Sequence, residues 1–169
     1  IAGQFLALKT DGRWVDEMVV KAPAAMKFAL GENPKSVYND RKETPVTRMA
    51  TAAIIRENLA KAQEYQDKQS KAEEDPDEDV PDYDAKLEAL APVVTGALPA
   101  HFHAHRADDI ATAVRISGEF GLKLVVVHGT EGYLVPELLA QSNVPVITGP
   151  CLTDRSKPEL VGQSLSNPA

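Results

Sequence analysis

The sequence predicts an α/β fold with parallel strands, on three observations. Strand and helix patterns alternate through the second half in the order strand, helix, strand, helix, strand. Residues 122–128 are apolar on both faces, as a strand buried inside a parallel sheet must be. The chain has 169 residues, 43% of them apolar, which is enough for one domain with a real core and too short for two.

From the N-terminus, residues 4–8 read as a short strand before the turn Asp11-Gly12, and residues 14–20 as a second strand, giving a hairpin or an irregular edge pair. Residues 24–30 (AAMKFAL) are a buried strand, stopped by Gly31-Glu32-Asn33-Pro34. Thr44-Pro45 opens a helix: threonine accepts from the orphan amides and proline tolerates the first helical position. Val46, Met49, Ala50 and Ala53 then form an apolar face that Leu59 continues, and helix-favouring residues carry it to about position 68. Pro76 and Pro81 interrupt regular structure, and Asp82 or Asp84 caps a helix reaching about Leu90. Residues 100–103 form a strand, 108–120 a helix stopped by Gly121, 122–128 a strand, 133–140 a helix, and 144–148 a last strand closed by Gly149-Pro150. The tail beyond Arg155 carries weak signals.

The net charge is -7, but it is local. Eight acids and no bases lie between Glu73 and Asp84; without them 17 acids face 18 bases. Such a run is a solvated loop. No broad basic face exists, so nucleic acid is excluded as a partner. Nor does the run show the spaced oxygen donors around a glycine turn that calcium requires. No apolar stretch approaches the roughly 20 residues of a membrane span. A single cysteine, Cys151, and no leader-like start point to a reducing, cytoplasmic setting. Ile1 is not an initiator methionine, so the chain is expected to have been processed or cut from something longer.

All four histidines flank strand ends. His101, His103 and His105 fall on one face of an extended segment, and His128 ends the next strand. Carboxyl ends of neighbouring parallel strands lie side by side, so two imidazoles there can share an ion about 2 Å from each. Imidazole suits zinc, iron, manganese and nickel alike. The competing reading is a set of polar strand caps. Lys27 is a second anomaly, an ammonium inside an apolar strand: it snorkels, is paired or is modified, with Glu32 as a partner or an oxygen ligand in its own right. Arg106 and His105 project near one strand end and could hold a substrate carboxylate. Asp108 or Asp109 complements a helix dipole. Gly129-Thr130-Glu131-Gly132 is a strand-to-helix turn, and Cys151 lacks the setting of a nucleophile.

Three segments together resemble a family. Residues 102–110 (FHAHRADDI), 127–131 (VHGTE) and 26–35 (MKFALGENPK) are similar to the fifth, sixth and fourth strand segments of the metal-dependent amidohydrolase superfamily, nearest its imidazolonepropionase-like and prolidase-like members. The resemblance implies a partial (β/α)8 TIM-type barrel, with the first and last strands missing and residues 44–98 a helical insertion carrying the acidic loop 73–84. It implies one or two divalent ions, zinc foremost, held by His103 and His128. Lys27 would bridge two ions if carboxylated, with Glu32 as the alternative ligand, and His105 and Arg106 would contact substrate. The first-strand histidine pair of the superfamily is absent, and the general-base aspartate is expected beyond residue 169. Asp154 lies too near the seventh strand to replace it. A full barrel takes about 250 residues. The chain is therefore expected to be an inactive internal piece of an enzyme that hydrolyses carbon–nitrogen bonds of a small amide or peptide-like substrate, associating with copies of itself. The alternative is a non-catalytic α/β module that self-associates or binds a protein partner.

Overall fold

A computed structural model describes residues 1–152 and 155–168. Five strands form one sheet in chain order: β1 (Gly3–Leu8), β2 (Val19–Ala29), β3 (Ala100–Ala104), β4 (Leu124–His128) and β5 (Val146–Thr148). β1 runs antiparallel to β2, and the other neighbours are parallel. The α/β, mostly parallel architecture expected from the alternation is the one observed.

Helices make the crossovers. α2 (Glu32–Asp40), α3 (Arg48–Glu74) and α4 (Ala85–Val94) link β2 to β3. α5 (Ala107–Phe120) links β3 to β4, and α6 (Pro136–Gln141) links β4 to β5. The core lies between the helices and one face of the sheet. There Phe28 and Phe102 are paired in register and stacked, 4.6 Å between centroids, with Val126 next in the row. Ile55, Leu59, Val93, Ile110 and Ile116 close over them.

Four local expectations need correction. Residues 14–20 are not a separate strand: a helical turn, α1 (Val15–Met18), leads straight into an 11-residue β2. β2 does stop before Gly31-Glu32-Asn33-Pro34, but the segment opens α2 where only a stop was expected, because proline and asparagine fit a first helical turn as well as a loop. The long helix is capped by Thr47, whose hydroxyl accepts from the Ala50 amide, and not by Thr44. Its buried stripe is Ala52, Ile55, Leu59 and Ala62, while Met49 is 75% exposed. That stripe keeps helical spacing through three turns, whereas one starting at Val46 and Met49 does not. Asp84 caps α4 by accepting from the amides of Lys86 and Leu87, and the acidic loop before it is exposed. Asp154, weighed above as a base, lies outside the described residues.

Candidate metal centre

Strand alternation carries two of the three central histidines. Lys27 and His101 are in register, as are Ala29 and His103, so these side chains share the face opposite Phe28 and Phe102. His105 continues that face just past the end of β3. His128 does not follow the rule. It is in register with Ala104, a core-face residue, but sits at φ +79°. A left-handed residue interrupts the alternation, and its ring comes to lie beside the other two. Gly129 follows at φ +52°, and a Cβ there would meet Val146 Cγ1 at 2.7 Å, so the tight exit from β4 needs glycine.

The result is a compact cluster. One ring nitrogen from each of His103, His105 and His128 lies within 4.8 Å of the others. The rings of His105 and His128 stack at 4.6 Å, and His103 stands edge-on to both at 4.7 Å. They line a cavity of about 440 Å³ with Asn33, Pro150, Lys157 and Leu160.

Hydrogen bonds orient the rings. His128 Nδ1–H donates to the Gly149 carbonyl, which leaves Nε2 with its lone pair. His105 Nδ1 is 2.7 Å from the buried Thr130 hydroxyl. Holding the far nitrogen of an imidazole in this way is how proteins orient metal-ligating histidines. Lys157 donates to Asn33 Oδ1, which turns the Asn33 amide so that its Nδ2 donates to His103 Nε2 at 3.2 Å. Burial lowers the pKa of His105 to about 4, with His103 adding to the effect. Burial likewise lowers that of His128, against the Gly149 hydrogen bond. Both rings are neutral at pH 7, the form that binds a cation.

Sequence reasoning missed Glu159. It sits in a short turn (Pro158–Leu160) after β5 and is 1% exposed. Its Oε2 accepts from the Glu32 amide at 3.0 Å. Its Oε1 faces His105 Nε2 at 3.7 Å and His103 Nε2 at 3.9 Å. Burial pushes this carboxyl up, but His103, the Glu32 amide and His105 outweigh it and hold the pKa at about 2. Gly31 makes room: at φ +78°, a Cβ would stand 2.7 Å from Glu159 Oε2 and 3.1 Å from Asp109 Oδ2. No periodicity marks Glu159, because its segment has no repeating pattern; the only signal was an acid in an otherwise featureless tail.

The other sequence candidates are spread out. Lys27 lies two residues before the Ala29–His103 pair, with its ammonium 5.8 Å from the Phe5 ring and its pKa lowered by burial. Glu32 Oε1 is engaged by Lys35 at 3.1 Å and Arg48 at 3.3 Å. Arg106 is exposed and forks onto Asp108. Asp109 is buried and paired with Arg48. Asp108 and Asp109 do lie in the first turn of α5, as expected, with Asp108 accepting from the Asp109 amide, and Glu131 adds to them by accepting from the Ala107 amide at 2.9 Å. His101 packs against Phe5. Cys151 is a free, half-buried thiol.

A mostly parallel sheet with histidines gathered at the carboxyl ends of its strands is the arrangement that the amidohydrolase resemblance implies. The structure is similar to that of an amidohydrolase from Thermotoga maritima MSB8, with 45% sequence identity and a TM-score of 0.92 over 96% of this chain. The resemblance carried by the three segments therefore holds over nearly the whole chain. The chain spans 42% of the length of that relative. No family model and no curated protein matched it. Among the described residues, no helix is long and apolar enough to cross a membrane.

Proposed function

We propose that this chain is the metal-holding part of a hydrolase that cleaves carbon–nitrogen bonds of a small amide, cyclic amide or peptide-like substrate. The observation that carries this is the convergence of His103, His105 and His128 at the ends of two adjacent parallel strands, with two of the rings held by their far nitrogens. The likeness to an amidohydrolase supports it. The donor set fits a divalent ion of the zinc type. Such an ion, when bound, polarises a carbonyl and brings the pKa of a coordinated water toward 7.

The residues of this chain do the rest. His103 and His128 hold the ion from neighbouring strands, and His105 completes the same face. Lys27 stands on the same sheet face, in register with His101. Its lowered pKa favours the neutral amine, the form that carboxylation requires, and a carboxylated Lys27 would bridge a second ion. Glu32 is the alternative oxygen donor. Arg106, the residue after His105, would meet a substrate carboxylate if it leaves Asp108. In this reading the sheet is part of a (β/α)8 barrel, residues 44–98 are an insertion within it, and the general base is an aspartate beyond residue 169. The isolated 169-residue chain then turns over nothing. Leu6 and Leu8 on the edge strand β1 and Val20 on its neighbour β2 are exposed, which supports self-association.

The test is metal content and amidase activity of the full-length gene product in one preparation. One or two equivalents of a transition ion are expected, with chelation abolishing hydrolysis of cyclic and N-acyl amides and Zn²⁺ restoring it. Unimpaired activity after complete metal removal would overturn the reading.

A further inference from the structure

We infer that Glu159 is itself a ligand of this site, completing a set of three histidines and one carboxylate. The inference rests on the metal reading above and adds a residue to it.

The carboxylate has one oxygen explained and one unexplained. Oε2 accepts from the Glu32 amide, so it serves the N-terminus of α2. Oε1 is fully buried and has no hydrogen-bond partner. Buried carboxylate oxygens are almost always bonded, and an orphan one is costly. A purely structural role as a helix cap accounts for Oε2 and leaves Oε1 idle.

Geometry says what Oε1 is aimed at. It stands 3.7 Å from His105 Nε2 and 3.9 Å from His103 Nε2, too far for a hydrogen bond. Ligand atoms about 2.1 Å from a tetrahedral ion are about 3.4 Å from one another. The two separations from His105 and His103 exceed that by a few tenths of an ångström; Glu159 stands outside the 4.8 Å group that the three histidines form, so the carboxylate must close further toward His128 to join the ion. The Glu32 amide on Oε2 is the outer hydrogen bond that orients a ligating carboxylate. Ligation would also tie the turn Pro158–Leu160 to the strand ends across the cavity.

The experiment uses the full-length protein, stripped of metal and titrated with Zn²⁺ against a chromophoric chelator, then with Co²⁺ followed by its visible absorption. Glu159→Gln can still accept from the Glu32 amide, so its metal-free fold is expected to match wild type by circular dichroism. Its Zn²⁺ affinity is expected to fall at least about tenfold, the lower end of what losing a group around a metal costs, and its Co²⁺ bands to shift. Equal affinity and identical bands would overturn the role of Glu159 while leaving the histidine site intact. A wild-type protein that binds neither ion would overturn both. Should the variant not fold, hydrogen exchange of wild type decides: added Zn²⁺ is expected to protect the Leu160 and Val161 amides, and unchanged protection would overturn the inference.

Discussion

The imidazoles of His105 and His128 lie face to face, 4.6 Å apart with their planes 12° from parallel. Two such rings cannot both carry a proton at little cost, and burial lowers both pKa values, that of His105 to about 4. In the unfolded chain each titrates near 6.5. The unfolded state therefore binds more protons than the folded state across this window. Stability is fully present above about pH 6.5 and is lost as pH falls toward 4. Glu159, held near 2, extends the loss below its ordinary carboxylate range. For metal-free protein, urea unfolding at pH 7.5 and pH 4.5 is expected to differ by on the order of 2 kcal/mol. His105→Gln should flatten the profile. A wild-type profile that is already flat would show that the rings are not buried neutral.

Arg48 and Asp109 form the neighbouring charge pair, 3.0 Å apart, with the Asp109 side chain only 3% exposed. Burial holds the Asp109 carboxyl above its usual range even with the guanidinium present. Arg48→Ala strands that carboxylate, at an expected cost of about 3–5 kcal/mol. Because the stranded acid would have a raised pKa, the deficit should shrink as pH falls and the carboxyl takes up a proton. Adding Asp109→Asn should recover much of the loss at pH 7. Chemical denaturation of the single and double variants at pH 5 and 8 checks both statements, and a deficit independent of pH would count against a buried ionic role.

Phe28 and Phe102 link the sheet to its helices, stacked within 6° of parallel and fully buried. Phe102→Ala removes half of that stack between β2 and β3, so a loss of about 3–5 kcal/mol is expected. Phe102→Leu, which keeps most of the volume, should cost much less. Thermal unfolding of the two variants separates the contribution of packing from that of mere apolarity.

These relationships were unequally visible in the sequence. The parallel sheet was legible because β3 and β4 are short apolar runs between helices with clear stops, such as Gly121 at φ +63°. His103 and His128 were legible because strand ends gather in a parallel sheet. The hidden parts depend on contacts between distant positions. Met49 looks like a core residue locally, and only packing of α3 on the sheet shows that Ala52 and Ile55 lie inside. Glu159 is 56 residues from His103 and has no pattern around it. Arg106 and Glu32 carry charge near a strand end, yet each has an anionic or cationic neighbour that engages it.

Gly129 offers the sharpest separation between holding a metal and positioning its ligands. It has no side chain to offer an ion, and its carbonyl accepts from Asn167 and the Gly132 amide. It nevertheless sits between His128 at φ +79° and the turn that carries Thr130, the partner of His105. Gly129→Ala places a methyl 2.7 Å from Val146 at a left-handed φ, so either β5 shifts or the exit of β4 opens. Either movement disturbs His128 and Thr130 together. The variant is expected to lose about 1–3 kcal/mol of stability and to bind Zn²⁺ more weakly, although no ligand has been removed. His101→Gln is the control. It lies on the same face two residues earlier and packs on Phe5, outside the cluster, so its Zn²⁺ affinity should match wild type. Parallel Zn²⁺ titrations of both variants check the point. If Gly129→Ala binds as wild type does, the left-handed exit from β4 is not what places His128; if His101→Gln loses the ion, the site extends further down β3 than the three clustered histidines.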